Sequence, residues 1–281
     1  MEVAAALTTR LQAPDGPVQV RVWPAERADP GAPVLLACHG WSDSGEVFGP
    51  LAAALDHRWT VVAPDAPGHG GTPRRPGRYA VADHATGVAA VVDALPRVAG
   101  RAAPVVAMGH SMGALTATRV AAARPGVVAA LVLEDPARTT TARPRSSNEL
   151  RTTLLELRAG DHAARVRWAA ETYPDWPAAE LEPWACSKEE VDLSLVDRPV
   201  DWGQPLPALL GAVTVPVLMV RGEPGRGGLV SATVAARCAA ACPGPVSVLS
   251  LPVGHCPRRE ATAAFVASLA HVLRTARQHR D

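Results

Sequence analysis

The chain has 281 residues and a net charge of +1, with its basic residues scattered and no dense Lys/Arg block. That excludes the concentrated positive field on which recognition of nucleic acid or an anionic membrane depends, so neither is an expected partner. Hydrophobic residues make up 48% but aromatics only 4%. This predicts a core of small, tightly packed side chains, enough for one α/β domain or one domain with a sizeable insertion.

Met1-Glu2-Val3-Ala4 carries an early acid and no basic stretch, unlike a signal peptide. No window approaches the ~18 apolar residues of a membrane span. Five irregularly spaced cysteines without an export signal read as reduced thiols in a cytoplasm. Cys238 and Cys242 lack the paired spacing of a zinc site and read as small buried residues. Lys188, the chain's only lysine, stands beside Glu189 and Glu190 in a polar stretch, which argues against Schiff-base chemistry. No cofactor is expected.

In chain order, Leu7–Gln12, the turn Pro14-Asp15-Gly16 and Val18–Trp23 predict a β-hairpin. Short apolar runs then alternate with helical stretches. The strands are Pro33–Cys38, Trp59–Ala63, Pro104–Met108, Val128–Leu133, Pro216–Arg221 and Val246–Leu251. The helices are Val47–Leu55, Val81–Val98, Met112–Ala123, Ser231–Ala241 and Glu260–Arg277. That rhythm predicts a mostly parallel central sheet flanked by helices, with its ligand crevice at the carboxyl ends of the strands. Between Pro136 and Val215 the rhythm breaks. Two helices are expected there, over Asn148–Ala159 and His162–Thr172, followed by a Pro/Trp-rich segment. Since a structureless loop of that length is improbable, residues 137–207 read as a helical cap on a core of 1–136 and 208–281.

Gly109-His110-Ser111-Met112-Gly113 lies between a buried strand and a helix. A serine at such a turn projects its hydroxyl above the sheet, and the flanking glycines let neighbouring backbone approach. Ser111 is the candidate nucleophile. The N–H groups of Met112, at the helix start, and of Trp41, after Cys38-His39-Gly40, are the candidate oxyanion donors. His39 itself reads as a brace for its loop. Val253-Gly254-His255, after the last strand, supplies the candidate general base, because a serine hydroxyl needs an imidazole to take its proton.

Together with Pro64-Asp65-Ala66-Pro67-Gly68-His69-Gly70, these motifs resemble the α/β-hydrolase superfamily over nearly the whole chain outside the cap. The resemblance implies the α/β-hydrolase fold, the order nucleophile, acid, histidine, and a structural role for Asp65 and His69. It departs at the acid. Where the family usually has an aspartate after the penultimate strand, Arg221-Gly222-Glu223-Pro224-Gly225 holds a glycine. Some relatives, haloalkane dehalogenases among them, take the acid from the end of the preceding strand, here Leu133-Glu134-Asp135. Alternation lets only one of the two face the site. Glu134 is the favoured triad acid, with Asp135 and Glu223 as alternatives. The reading is a serine hydrolase of a small or medium, mainly apolar ester, lactone or thioester. A haloperoxidase-like or lyase activity on the same triad, or a weakly catalytic ligand receptor, are the other readings.

Overall fold

The computed structural model describes residues 5–26, 33–55, 59–99, 104–137, 146–197 and 201–278, without the side chains of 146–148 and 273–278. Strands β1 (Leu7–Ala13) and β2 (Gly16–Trp23) form the expected hairpin. The strands β3 (Val34–Cys38), β4 (Thr60–Pro64), β5 (Val105–His110), β6 (Val128–Glu134), β7 (Val217–Arg221) and β8 (Val246–Ser250) complete one sheet. Its order is β1-β2-β4-β3-β5-β6-β7-β8, parallel from β4 onward and antiparallel at the hairpin.

The central strands β3, β4, β5 and β6 are buried at every position. Continuous apolar runs of this kind mark a sheet covered on both faces. One cover is α2 (Val81–Val98) and α3 (Met112–Ala123), joined by α7 (Leu206–Leu210) and α8 (Ala232–Ala241), which packs beside the edge strand β8. The other is α1 (Gly49–Ala54) and α9 (Thr262–Gln278), packed through Phe48, Leu51, Phe265 and Leu269. The small-residue core expected from composition is present: 65 described hydrophobic side chains are buried, and alanine and valine recur throughout.

Between β6 and β7 the chain leaves the sheet for α4 (Ser146–Ala159), α5 (His162–Thr172) and α6 (Ala178–Glu190). The first two match expectation. The third lies in the Pro/Trp-rich segment, to which the sequence assigns no helix of its own. Pro183 lies inside α6, where it removes a helical hydrogen bond. Burial of Trp184, Ala185, Ser187 and Lys188 on the inward side of that helix outweighs the cost. These helices share a small core in which Trp168 and Trp184 stack at 5.4 Å and Tyr173 and Trp176 at 4.0 Å.

Register aligns the strand ends. Cys38 pairs with Gly109, His110 with Glu134, and Glu134 with Val220. The residues that follow β3, β5 and β6 therefore emerge side by side along one edge.

Candidate active site

At that edge β5 runs directly into α3 through Ser111, whose φ of 52° and ψ of −114° are unfavourable for any residue with a Cβ. Such strain costs on the order of 1–3 kcal/mol and needs surroundings that enforce it. Ser111 N–H donates to Glu134 O at 3.0 Å, and Ser111 O accepts from Ala114 and Ala137 N–H, each at 3.1 Å. A Cβ on Gly109 would sit 2.0 Å from Gly113 O, and one on Gly113 would sit 2.1 Å from Cys38 O. Both glycines are thus required by packing, as the motif predicted.

His255 follows β8 and meets the acid of β6. The carboxylate that meets His255 is that of Asp135, not Glu134: His255 Nδ1–H donates to Asp135 Oδ2 at 2.7 Å. Asp135 is sealed from solvent at 0% side-chain exposure, whereas His255 is 31% exposed and reaches the cavity. Leu229 and Val230 N–H donate to the same carboxylate at 2.7 and 3.3 Å. With Nδ1 engaged by Asp135, the other imidazole nitrogen is the one available to take up a proton.

Glu134 lies on the opposite side of the strand, as alternation requires. Its Oε1 accepts Arg258 N–H at 2.7 Å, and the Arg258 guanidinium stands 3.5 Å from Oε2. Burial pushes its carboxyl up, against the pull of Arg258. The expectation that Glu134 orients His255 is therefore corrected. It anchors the segment just after His255 instead. Glu223 is half exposed and pairs with Arg226 at 3.5 Å, with no ion pair or hydrogen bond to His255 among the described residues.

The loop after β3 carries Trp41. His39 fixes this loop: its Nε2 accepts Ala66 N–H at 3.0 Å, which leaves the proton on Nδ1 to donate to Gly40 O at 2.8 Å. Burial depresses its pKa, so it is a neutral brace between two loops. Asp65 and His69 are structural as well. Asp65 accepts from Arg21 at 2.6 Å and from Gly45 and Gly71 N–H at 2.6 and 3.0 Å. Met112 is the first residue of α3, a position whose N–H has no partner within its own helix. His110 packs its ring 4.7 Å from that of His255 and donates from Nε2 to His255 O at 3.0 Å.

Ser111, His255 and Trp41 all line one cavity of about 480 Å³. Among the described residues no hydrogen bond joins the Ser111 hydroxyl to His255. Such contacts commonly tighten only when substrate is bound. The inserted helices supply the facing wall through Leu154, Leu157, Trp168, Trp176 and Trp184. Lys188 and Arg259 line it too, each engaged by the buried carboxylate of Asp43. Burial alone would push the Asp43 carboxyl up, but Lys188 and Arg259 hold it well below the usual carboxylate range. A second cavity, about 640 Å³, lies between the β1–β2 hairpin and α6, and no histidine or serine lines it. Among the described residues no cluster of His, Cys, Asp or Glu is placed to hold a metal.

A family model described as the alpha/beta hydrolase fold matches residues 33–176. The chain belongs to the α/β-hydrolase family. The 2-(acetamidomethylene)succinate hydrolase of Mesorhizobium japonicum is 30% identical over 223 residues, 73% of this chain and 75% of that protein. A pimeloyl-[acyl-carrier protein] methyl ester esterase of Neisseria meningitidis is 38% identical over 96 residues, 34% of this chain and 33% of its own. Among solved structures, an E-2-(acetamidomethylene)succinate hydrolase superposes with a TM-score of 0.75 at 24% identity, covering 95% of this chain and 99% of that one. The relatives' names agree on hydrolysis, and the chain is a hydrolase of this family.

In this α/β-hydrolase, motif reading singles out Ser111, His255, Trp41 and Met112 and passes over Asp43, Lys188 and Arg259, which line the same cavity as Ser111. Two signals pointed to them: Lys188 is the only lysine of the chain, and Asp43 follows Gly40-Trp41-Ser42 directly. Lys188 stands in a polar stretch of sequence and is nevertheless 4% exposed. No described helix is long and apolar enough to cross a membrane.

Proposed function

We propose that this α/β-hydrolase is a serine hydrolase acting through a Ser111–His255–Asp135 triad and an acyl-enzyme. The observation that carries the reading is the 2.7 Å contact of His255 with a sealed Asp135, in the cavity onto which the strained Ser111 opens. In the proposed reaction Ser111 Oγ attacks a carbonyl carbon while His255 removes its proton. Asp135 holds the imidazole tautomer and offsets the charge of the imidazolium. The Trp41 and Met112 N–H groups stabilise the oxyanion. His255 returns the proton to the leaving group, and water then cleaves the acyl-enzyme by the same route.

The expected substrate is a small or medium, mainly apolar ester, lactone or thioester, held under helices α4 to α6 acting as a cap. The aromatic and aliphatic wall supports this, since the charges of Asp43, Lys188 and Arg259 within it are paired with one another. A small-molecule substrate handled without a cofactor, in the cytoplasm, completes the reading.

A fluorophosphonate probe followed by peptide mapping is the direct test. Stoichiometric labelling at Ser111, lost on brief acid denaturation beforehand, is the expected result; an unlabelled Ser111 would sink the proposal and favour a ligand receptor. An ester, lactone and thioester panel of graded acyl length then defines the substrate. The M. japonicum relative's named substrate is a succinate derivative, so carboxylate-bearing members belong in that panel. Product analysis with and without peroxide separates hydrolysis from haloperoxidase-like chemistry.

A further inference from the structure

One buried carboxylate joins three parts of the molecule. Asp43 Oδ1 accepts from Lys188 Nζ of α6 at 2.6 Å, and its Oδ2 accepts from Arg259 Nη2, four residues past His255, at 3.2 Å. Asp43 also closes the turn that carries Trp41, its N–H donating to Gly40 O at 3.1 Å. The third residue of this turn, Ser42, has φ 71°. Turns of that kind normally place glycine there, because a Cβ is sterically unfavourable at positive φ. The serine stays in this conformation only where its surroundings enforce it.

The enforcing group comes from the inserted helices. Lys188 Nζ donates to Ser42 O at 2.7 Å and stands 3.3 Å from Ser42 Oγ and 3.1 Å from Ser187 Oγ. With Asp43 included, three ammonium protons face four oxygen acceptors, so none is left over for a substrate. The Lys188 chain also lies over the Trp184 ring, with Nζ 4.9 Å from its centroid, which ties its position to the aromatic core of these helices. Arg259 adds a second tie, donating to Glu180 of α6 at 3.2 Å and covering Trp176 at 4.5 Å.

We infer that Lys188 is a positioning residue for the oxyanion donor: docking of α6 locks the Gly40–Asp43 turn, so the Trp41 N–H is aimed at the reacting oxygen only while the inserted helices are seated. The inference rests on the Ser111 mechanism proposed above. It adds that the helices which enclose substrate also complete the catalytic geometry, so that an unseated cap leaves an accessible but weak nucleophile.

The test compares wild type with Lys188→Met and with the charge-neutral pair Lys188→Met/Asp43→Asn, reading kcat, KM, Tm and the rate of Ser111 phosphonylation. Loss of a whole oxyanion donor costs about 10²–10³ in kcat, so a misaimed one is expected to cost about 10- to 100-fold. KM should stay within about threefold, and phosphonylation should slow by the same factor as kcat. Either variant folded with wild-type kcat overturns the inference. So does a rise in KM at constant kcat, which would make Lys188 a substrate ligand. If neither variant folds, the network holds the whole fold and not one turn, and the inference also fails. Wild-type phosphonylation at Ser111 is the separate check on the underlying mechanism: if it is absent, the serine hydrolase reading has failed, whatever Lys188 does.

Discussion

The edge of the sheet and the inserted helices build their halves of the cavity by different means. At the edge, main-chain geometry does the placing: strand register aligns the ends of β3, β5 and β6, and close backbone approaches at Gly109 and Gly113 admit no side chain. The Asp135 carboxylate is held by two backbone N–H groups besides His255. The inserted helices are fastened by long side chains, through Lys188, Glu180, Arg258 and Arg259, and by stacked aromatic rings. Main-chain placement leaves little freedom, as the nucleophile, base and oxyanion site of the proposed mechanism require. Side-chain fastening seats whole helices against that edge, which suits the half that encloses substrate in the proposed function.

Substitutions should respect that division. The largest effect is expected at the edge: Ser111→Ala lowers turnover by ~10³ or more with Tm nearly unchanged. Near-normal turnover of the purified variant would break the comparison at its root. Next come the adjacent acids. Asp135→Asn should cost about 10²–10⁴ in kcat by favouring the wrong imidazole tautomer. Glu134→Gln should instead lower stability by about 1–3 kcal/mol, through a weakened partner for buried Arg258, and change kcat by only a few-fold. Denaturation midpoints and kinetics on both variants decide between them; equal kcat losses would refute the division of labour.

On the inserted side, Trp184→Ala removes a buried ring from the small aromatic core, a loss of about 3–5 kcal/mol of local packing. The expected readout is a KM raised about tenfold and faster proteolytic cleavage within residues 146–197, with Ser111 still reactive toward a small phosphonate. A loss confined to kcat would show that the aromatic core serves the chemistry directly.

A further effect concerns pH and reads stability, not turnover. His39, His69, His84 and His110 are buried and depressed, mainly by desolvation, with His84 lowered to about 3. The unfolded chain binds protons at these sites near pH 6.5, while the folded chain does not. Their contribution is therefore fully present above pH 6.5 and is lost as pH falls towards the folded values, by up to about 1.4 kcal/mol per pH unit for each site. Urea midpoints should drop between pH 7.5 and 5, and His84→Leu should flatten part of that slope. A midpoint independent of pH over this interval would contradict neutral burial.

How legible the fold was varied with the range of the forces involved. Helices Val81–Val98 and Met112–Ala123 carry the bounds that periodicity assigned them, because an amphipathic stripe or a buried run is a local pattern. Strand β5 extends through Gly109 and His110, past the expected end at Met108. Helix α6 was hidden by Pro177 and Pro183, whose local preference is overridden by what Trp184 and Lys188 bury against.

For the site, sequence by itself singled out Ser111, His255 and the edge of the sheet on which they meet. Each follows from a strand, a turn and a few glycines close together in the chain. Only the tertiary structure decided between Glu134 and Asp135, since their partners, Arg258 and His255, lie more than a hundred residues away. It likewise decided that the one lysine of the chain belongs inside the cavity wall. Short-range patterns encode backbone geometry, whereas the choice of partner for a buried charge depends on which distant groups desolvation brings beside it.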